Sequence, residues 1–152
     1  AAGALAAAIE AVARRLTREL ARDGEGAETL IEAVVEGAAE LEDARLAART
    51  IVSSPLVKTM VTGRDPNWGR VMMAIGRSGA RVDQTLVSVW VGPHCVLERG
   101  TPTAVDLAMV SVAMAEDEVQ LRVDLGLGEA SAVAWGCDLT AEYVHINADY
   151  TT

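Results

Sequence analysis

The chain has 152 residues, with no Phe, three Trp, and twenty-two acidic against thirteen basic residues for a formal charge of −9. That charge repels phosphate backbones and excludes nucleic acid as an expected partner, and no apolar run approaches the roughly 20 residues of a membrane span. A composition that is 51% hydrophobic but only 3% aromatic must build its core from Ala, Val and Leu, which suits a compact α+β domain and argues against disorder.

The first element is an amphipathic helix, because Leu5, Ile9, Val12, Leu16 and Leu20 recur at helical spacing with Arg14, Arg15, Arg18 and Glu19 between them. It opens on Ala1 with no initiator Met, charged leader or cap, and reads as a piece of something longer. Asp23-Gly24-Glu25-Gly26 should stop it near Arg22, since glycine takes positive φ at low cost. Thr29 to Val35 is β-rich and reads as a strand ending at Gly37. Glu40 to Val52 returns to helical spacing, and Pro55 marks its end.

Leu56 to Val61 reads as a short strand. In TGRDPNWGR (62 to 70) a helix should start with Asp65 as its cap and Pro66 at its first position, and continue through Val71 to Ile75. Thr85 to Val91 alternates as a strand, Gly92-Pro93 turns the chain, Cys95 to Leu97 pairs back, and Val105 to Met114 forms a helix. Glu118 to Leu125 alternates over eight residues, so one face is buried and one wet. Gly126 to Gly128 should turn it directly into the strand Ser131 to Cys137, as an antiparallel hairpin. A short helix from Thr140 to about Ile146, capped by Asp138 or Thr140, precedes the tail NADYTT.

Few of these residues announce chemistry by themselves. Gly126-Leu127-Gly128 fails as a dinucleotide fingerprint, because position 131 is Ser and a strand follows instead of a helix. A zinc site would need His94, Cys95, Cys137 and His145 to converge without any ligand spacing, so no metal is expected and the thiols read as ordinary buried groups in a reducing compartment. DGEG is a helix C-cap in which backbone could approach a ligand. Lys58, the single lysine, is an ordinary solvated side chain unless other information says otherwise. TGRDPNWGR is a capped helix with Trp68 packed on the sheet and Arg64 or Arg70 paired to an acid, although flanking arginines on a turn could also hold a carboxylate.

Taken together, DGEGAETL (23 to 30), SPLVKT (54 to 59), GRDPNWGRV (63 to 71), VDLGLG (123 to 128), WGCDLT (135 to 140) and YVHINADYTT (143 to 152) resemble the C-terminal part of the β chain in the ornithine acetyltransferase family, the glutamate N-acetyltransferases of arginine biosynthesis. The likeness spans nearly the whole chain in order. It departs at Met60-Val61-Thr62, where the family often has Ala-Phe-Phe or similar, and at His145, where Arg is common.

The resemblance implies an α+β fold, a mixed sheet packed with helices, forming the C-terminal region of a self-processing N-terminal-nucleophile-like acetyltransferase. It implies that 1–152 is a single C-terminal α+β domain whose segment 140–152 returns to the catalytic half. The acetyl group would move from N2-acetylornithine to glutamate through an acyl-threonine. No catalytic residue is expected within this chain, since the family's nucleophilic Thr and its oxyanion donors lie upstream. Residue-wise matching assigns substrate binding to Glu25, Asn147 and Thr152. The family uses no bound cofactor, with acetyl-CoA as a further acetyl donor in bifunctional members. Implied partners are the α chain and the upstream β segment of one cytoplasmic precursor, assembled as an α2β2 heterotetramer, with N-acetylornithine, ornithine and glutamate as substrates. The segment alone is expected to be inactive. The competing reading is a non-catalytic amino-acid-binding or regulatory module that lost the nucleophile, and a self-processing aminopeptidase or amidase relative fits the tail less well.

Overall fold

A computed structural model describes residues 2–149. Helix α1 (Ala2–Arg22) leads into strand β1 (Leu30–Ala38), followed by α2 (Leu41–Ser53), α3 (Pro55–Thr62) and α4 (Trp68–Gly76). Strands β2 (Ser88–Val91), β3 (His94–Glu98) and β4 (Thr101–Pro102) come next, then α5 (Leu107–Ala113), β5 (Glu118–Asp124), β6 (Ala130–Cys137) and α6 (Ala141–Asp149). The fold is α+β, as expected. The strands form one mixed sheet in the order β4-β3-β2-β5-β1-β6, in which β1 and β5 run parallel while the other pairs are antiparallel.

Two elements differ from the sequence reading. Residues 55–62 are helix α3, not a strand: Pro55 stands at the first helical turn, where its missing N–H costs nothing, and Val57, Met60 and Val61 fall on one buried helical face. β5 and β6 are not a hairpin. β1 lies between them, paired through Val34↔Arg122 on one side and Val34↔Val133 on the other. The Gly126–Gly128 turn crosses the end of β1, with the N–H groups of Leu127 and Gly128 donating to Gly37 O at 2.7 and 2.9 Å. Alternation fixes which face of a strand is buried and leaves its neighbour open.

Smaller shifts have local causes. Helix α4 starts at Trp68, not Pro66, with Asn67 preceding it. The Asp65 N–H donates to Met60 O at 3.0 Å to close α3. Helix α5 is shorter than expected and is capped by Asp106, whose Oδ1 accepts from the Ala108 N–H at 2.9 Å. Strand β2 starts only at Ser88 because Asp83 Oδ1 accepts from both the N–H and the hydroxyl of Thr85, at 3.0 and 2.7 Å, and turns the chain there.

The core lies on one face of the sheet. Ile31, Ala33, Val35, Val119, Leu121, Val123, Val89 and Val91 meet Ala44, Ala47, Ala48 and Ile51 of α2, Val57, Met60 and Val61 of α3, and Val71, Ala74 and Ile75 of α4. Small side chains let α2 approach closely: a Cβ on Gly136 would lie 3.0 Å from Val52 O. The other face carries a polar ladder. Glu32 accepts from Gln120 Nε2 at 2.8 Å and Trp135 Nε1 at 2.7 Å. Arg122 donates to Glu36 Oε1 at 2.7 Å and stacks over the Trp90 ring, 3.7 Å from its centroid. Helix α1 is tied to that side by Arg18, which reaches both Glu118 oxygens at 2.6 and 2.5 Å. Its apolar stripe points away, leaving Leu5, Ile9, Val12, Leu16 and Leu20 57–77% exposed. No helix of the described residues is long and apolar enough to cross a membrane.

Candidate functional site

The turn between α1 and β1, the end of α3, the end of β6 and the start of α6 converge on one corner. Gly26 sets how closely they approach. Its φ is +64°, and a Cβ there would lie 2.6 Å from Tyr143 N and 3.0 Å from Glu142 C, so only glycine lets the first turn of α6 rest on this backbone. Gly24 makes a similar approach to Cys137, whose Sγ would sit 2.6 Å from an added Cβ. Thr140 then joins the two segments, donating from Oγ1 to Gly26 O at 2.6 Å and accepting the Tyr143 N–H at 3.3 Å as the helix cap.

Asp138, read as an alternative cap, has another task. It is buried at 3% exposure. Its Oδ1 accepts the N–H groups of Glu28 and Thr29 at 2.9 and 3.1 Å, just downstream of Glu25. Its Oδ2 is 3.1 Å from Thr62 Oγ1 on α3. That hydroxyl also has Leu139 O at 2.9 Å and Lys58 O at 3.2 Å, so one proton is shared among three acceptors.

The two described residues expected to bind substrate meet here. Asn147 Nδ2 donates to Glu25 Oε2 at 3.0 Å and to Tyr143 O at 2.9 Å, and both residues are exposed. An exposed carboxylate beside an amide whose oxygen has no partner among the described residues can take an ammonium, while the amide can also donate to a carboxylate. Thr152 lies outside the described residues.

The remaining candidates separate from this corner. Arg70 braces α4 to α3, with Nη1 3.2 Å from Leu56 O and 3.3 Å from Thr59 Oγ1 and Nη2 3.7 Å from Asp65, so the expected pairing of a motif arginine with an acid is present. Trp68 is half-buried and packs against the core, less enclosed than expected. Lys58 is half-buried on α3, one turn before Thr62. His94 and Cys95 are on β3 and Cys137 is on β6, with β2, β5 and β1 between those strands, so at about 4.8 Å per strand they stand roughly 19 Å apart and do not converge. No group of three or more metal-ligating side chains occurs among the described residues. Burial, and then the Glu98 carboxylate, push the Cys95 thiol up from its ordinary value.

The family resemblance named Glu25 and Asn147, but neither it nor the residue patterns pointed to Asp138 and Thr62 as the residues that hold their surroundings. The available signal was a carboxylate in WGCDLT two residues before the capping Thr140.

A mixed sheet with helices packed on one face, and with an acid and an amide joined at its corner, is an α+β framework. The ArgJ family model matches residues 1–152, and the chain belongs to that family. The arginine biosynthesis bifunctional protein ArgJ of Dehalococcoides mccartyi (strain CBDB1) is 54% identical over 145 residues, 95% of this chain and 36% of the relative. The glutamate N-acetyltransferase of Methanosarcina mazei is 53% identical over 142 residues, 90% of this chain and 36% of the relative. The crystal structure of the arginine biosynthesis bifunctional protein argJ from Bacillus halodurans superposes with a TM-score of 0.95 at 42% identity, covering 97% of this chain and 70% of that one. The chain therefore spans little more than a third of the length of the curated relatives it matches.

Proposed function

We propose that this chain is the substrate-binding C-terminal domain of a glutamate N-acetyltransferase, which moves the acetyl group of N2-acetylornithine to glutamate. The observation that carries the reading is the Glu25–Asn147 contact. Two positions 122 residues apart are joined at 3.0 Å, in a family with members named for glutamate N-acetyltransfer and arginine biosynthesis. In this reading the hydroxyl of an upstream Thr attacks the acetyl carbonyl of N2-acetylornithine, the C–N bond breaks, and the amine leaves with a proton as ornithine. The amine of glutamate then attacks the threonyl ester, the C–O bond breaks, and the Thr hydroxyl regains its proton. An oxyanion hole from the upstream segments stabilises both tetrahedral intermediates.

Glu25 and Asn147, with Thr152, hold the amino-acid part of the substrate. The ammonium of the ornithine side chain matches the Glu25 carboxylate, and residues 140–152 reach toward the catalytic half. The outward apolar stripe of α1 fits a surface covered by the remainder of a self-cleaved α2β2 assembly in the cytoplasm, since isolated soluble domains rarely leave such a stripe open. These two transfer steps need no cofactor.

The test is acetyl transfer from N-acetylornithine to glutamate by the complete enzyme, by this chain alone, and by the complete enzyme carrying Glu25→Gln. Transfer by the complete enzyme, none by the chain alone, and a raised KM in the variant are expected. Transfer by the chain alone would overturn the division of roles, and an unaltered Glu25→Gln enzyme would remove Glu25 from the site.

A further inference from the structure

We propose that Asp138 is a positioning residue for the Glu25 carboxylate, a role that rests on the reading of Glu25 as a substrate ligand. Glu25 is exposed, and its one side-chain partner among the described residues, Asn147, sits on a helix with no buried residue. Its location is therefore set by the backbone of residues 23–29. Side chains hold that backbone at three points. Thr140 Oγ1 holds Gly26 O at 2.6 Å, and Asp138 Oδ1 holds the N–H groups of Glu28 and Thr29 at 2.9 and 3.1 Å.

Asp138 has the larger share for two reasons. It supplies two of the three side-chain contacts, and it does so as an anion, whose hydrogen bonds are roughly twice as strong as those of a neutral acceptor. It is also 3% exposed, so water cannot replace it if it is removed. Its own N–H donates to Thr29 O at 3.0 Å, locking the chain on both sides of Thr29. Oδ2, facing Thr62 Oγ1 at 3.1 Å, ties this lock to α3 and prevents the carboxylate from rotating. Asp138 thereby fixes the direction in which Glu25 leaves the turn without touching substrate itself.

The experiment is a double-mutant cycle in the complete enzyme, reading KM and kcat separately for N2-acetylornithine with Asp138→Asn, Glu25→Gln and the pair. Asn keeps an oxygen toward Glu28 and Thr29 but loses the charge. The expected result is a roughly three- to tenfold rise in KM with kcat nearly unaltered, in proportion to the weakening of charge-assisted bonds. This rise should vanish when Glu25 is already Gln, because residues acting through one contact do not add. A general loss of order would persist beside Glu25→Gln and would lower kcat. A direct pull of the Asp138 charge on a cationic substrate would also persist. Either result overturns the proposal, as does an unaltered KM in Asp138→Asn. If Glu25→Gln itself is silent, the reading of Glu25 fails first and the proposal falls with it, a result separate from a failed coupling. Should Asp138→Asn not mature, Thr62→Val, at an exposed position facing the same carboxylate, carries the same cycle. Its expected effect is about a twofold rise in KM that disappears beside Glu25→Gln, and an unaltered KM or a persistent rise overturns the proposal.

Discussion

Asn147 Nδ2 lies 3.0 Å from Glu25 Oε2 across 122 residues of sequence, and it also holds Tyr143 O at 2.9 Å within its own helix. The amide therefore either tethers α6 or shapes a binding site, and two substitutions separate these. In the complete enzyme Asn147→Ala should raise KM for N2-acetylornithine roughly ten- to hundredfold, the value of about 1.5–3 kcal/mol for a hydrogen bond to a charged group. Asn147→Asp keeps the size but sets two carboxylates against each other, so it should lower the melting temperature further than Asn147→Ala does. Equal melting temperatures and unaltered KM in both variants would reduce Asn147 to a helix tether.

Gly26 should be the least replaceable residue of the corner. An L side chain in the left-handed region costs about 1–2 kcal/mol, and its Cβ would meet backbone atoms at 2.6 and 3.0 Å, which cannot swing aside as a side chain would. Gly26→Ala is expected to release α6, seen as proteolytic cleavage within residues 141–149 together with a raised KM. Gly76 ends α4 with nothing within 4 Å of an added Cβ. There Ala should be neutral or stabilising by about 0.5–1 kcal/mol. The same outcome at both positions would remove close approach as the explanation.

The outline of this fold was legible where a signal is local. The stripe of α1, the helical spacing of α2 and the alternation of β5 are periodic, and each became the element expected. For α3 the local signal is ambiguous: Val57, Met60 and Val61 stand at helical spacing behind Pro55, but a short run with two Val and a Thr also suits a strand. The partner of β6 was not legible, because alternation is the same whether β5 or β1 lies beside it. Nor was the direction of the α1 stripe, since amphipathicity shows that one face is covered without showing by what. The Glu25–Asn147 contact lay in two separate motifs joined only by resemblance, and Asp138 escaped because a buried carboxylate is found by its donors, which belong to distant backbone.

Asp43 and Arg81 set an acid limit on stability. The Arg81 N–H donates to Asp43 Oδ1 at 3.1 Å and its Nε to Oδ2 at 2.9 Å, fastening α2 to the segment before β2. The backbone N–H of Arg81 is the main cause holding the Asp43 carboxyl below its ordinary value, with the guanidinium adding to it. A depressed folded-state value means that the unfolded chain binds the proton more readily, so this stabilisation is complete above about pH 4 and is lost as pH falls through the lower folded value. Asp43→Asn should lower the melting temperature at pH 7 and leave a smaller gap from the parent at acid pH. Melting curves from pH 7 down to about pH 3 check this, and a gap that widens on acidification would contradict the sign.

Trp68 puts architecture and chemistry in direct competition. It sits inside the most distinctive run of the sequence, GRDPNWGR, yet the backbone of that run is already occupied. Arg64 N and Asp65 N close α3 on Val61 O and Met60 O at 3.0 Å each, and Ser111 Oγ holds Arg64 O at 2.7 Å. Arg70 is spent on Leu56 O, Thr59 and Asp65. The indole packs against the core, with Met72 and Leu97 beside it in an open cleft of about 510 Å³. Its job is therefore to seat α4 on the sheet and, through the α3–α4 brace, to steady the end of α3 where Thr62 faces Asp138. A fully buried Trp cut to Ala costs about 3–5 kcal/mol, and this half-buried one should cost roughly 2–3. Trp68→Phe, which keeps most of the apolar contact, should cost less than about 1.5 kcal/mol. Neither should alter KM for N2-acetylornithine in enzyme that remains folded. Urea unfolding beside steady-state kinetics on both variants decides it: transfer abolished in Trp68→Phe at unaltered stability would move this run from the scaffold into the site.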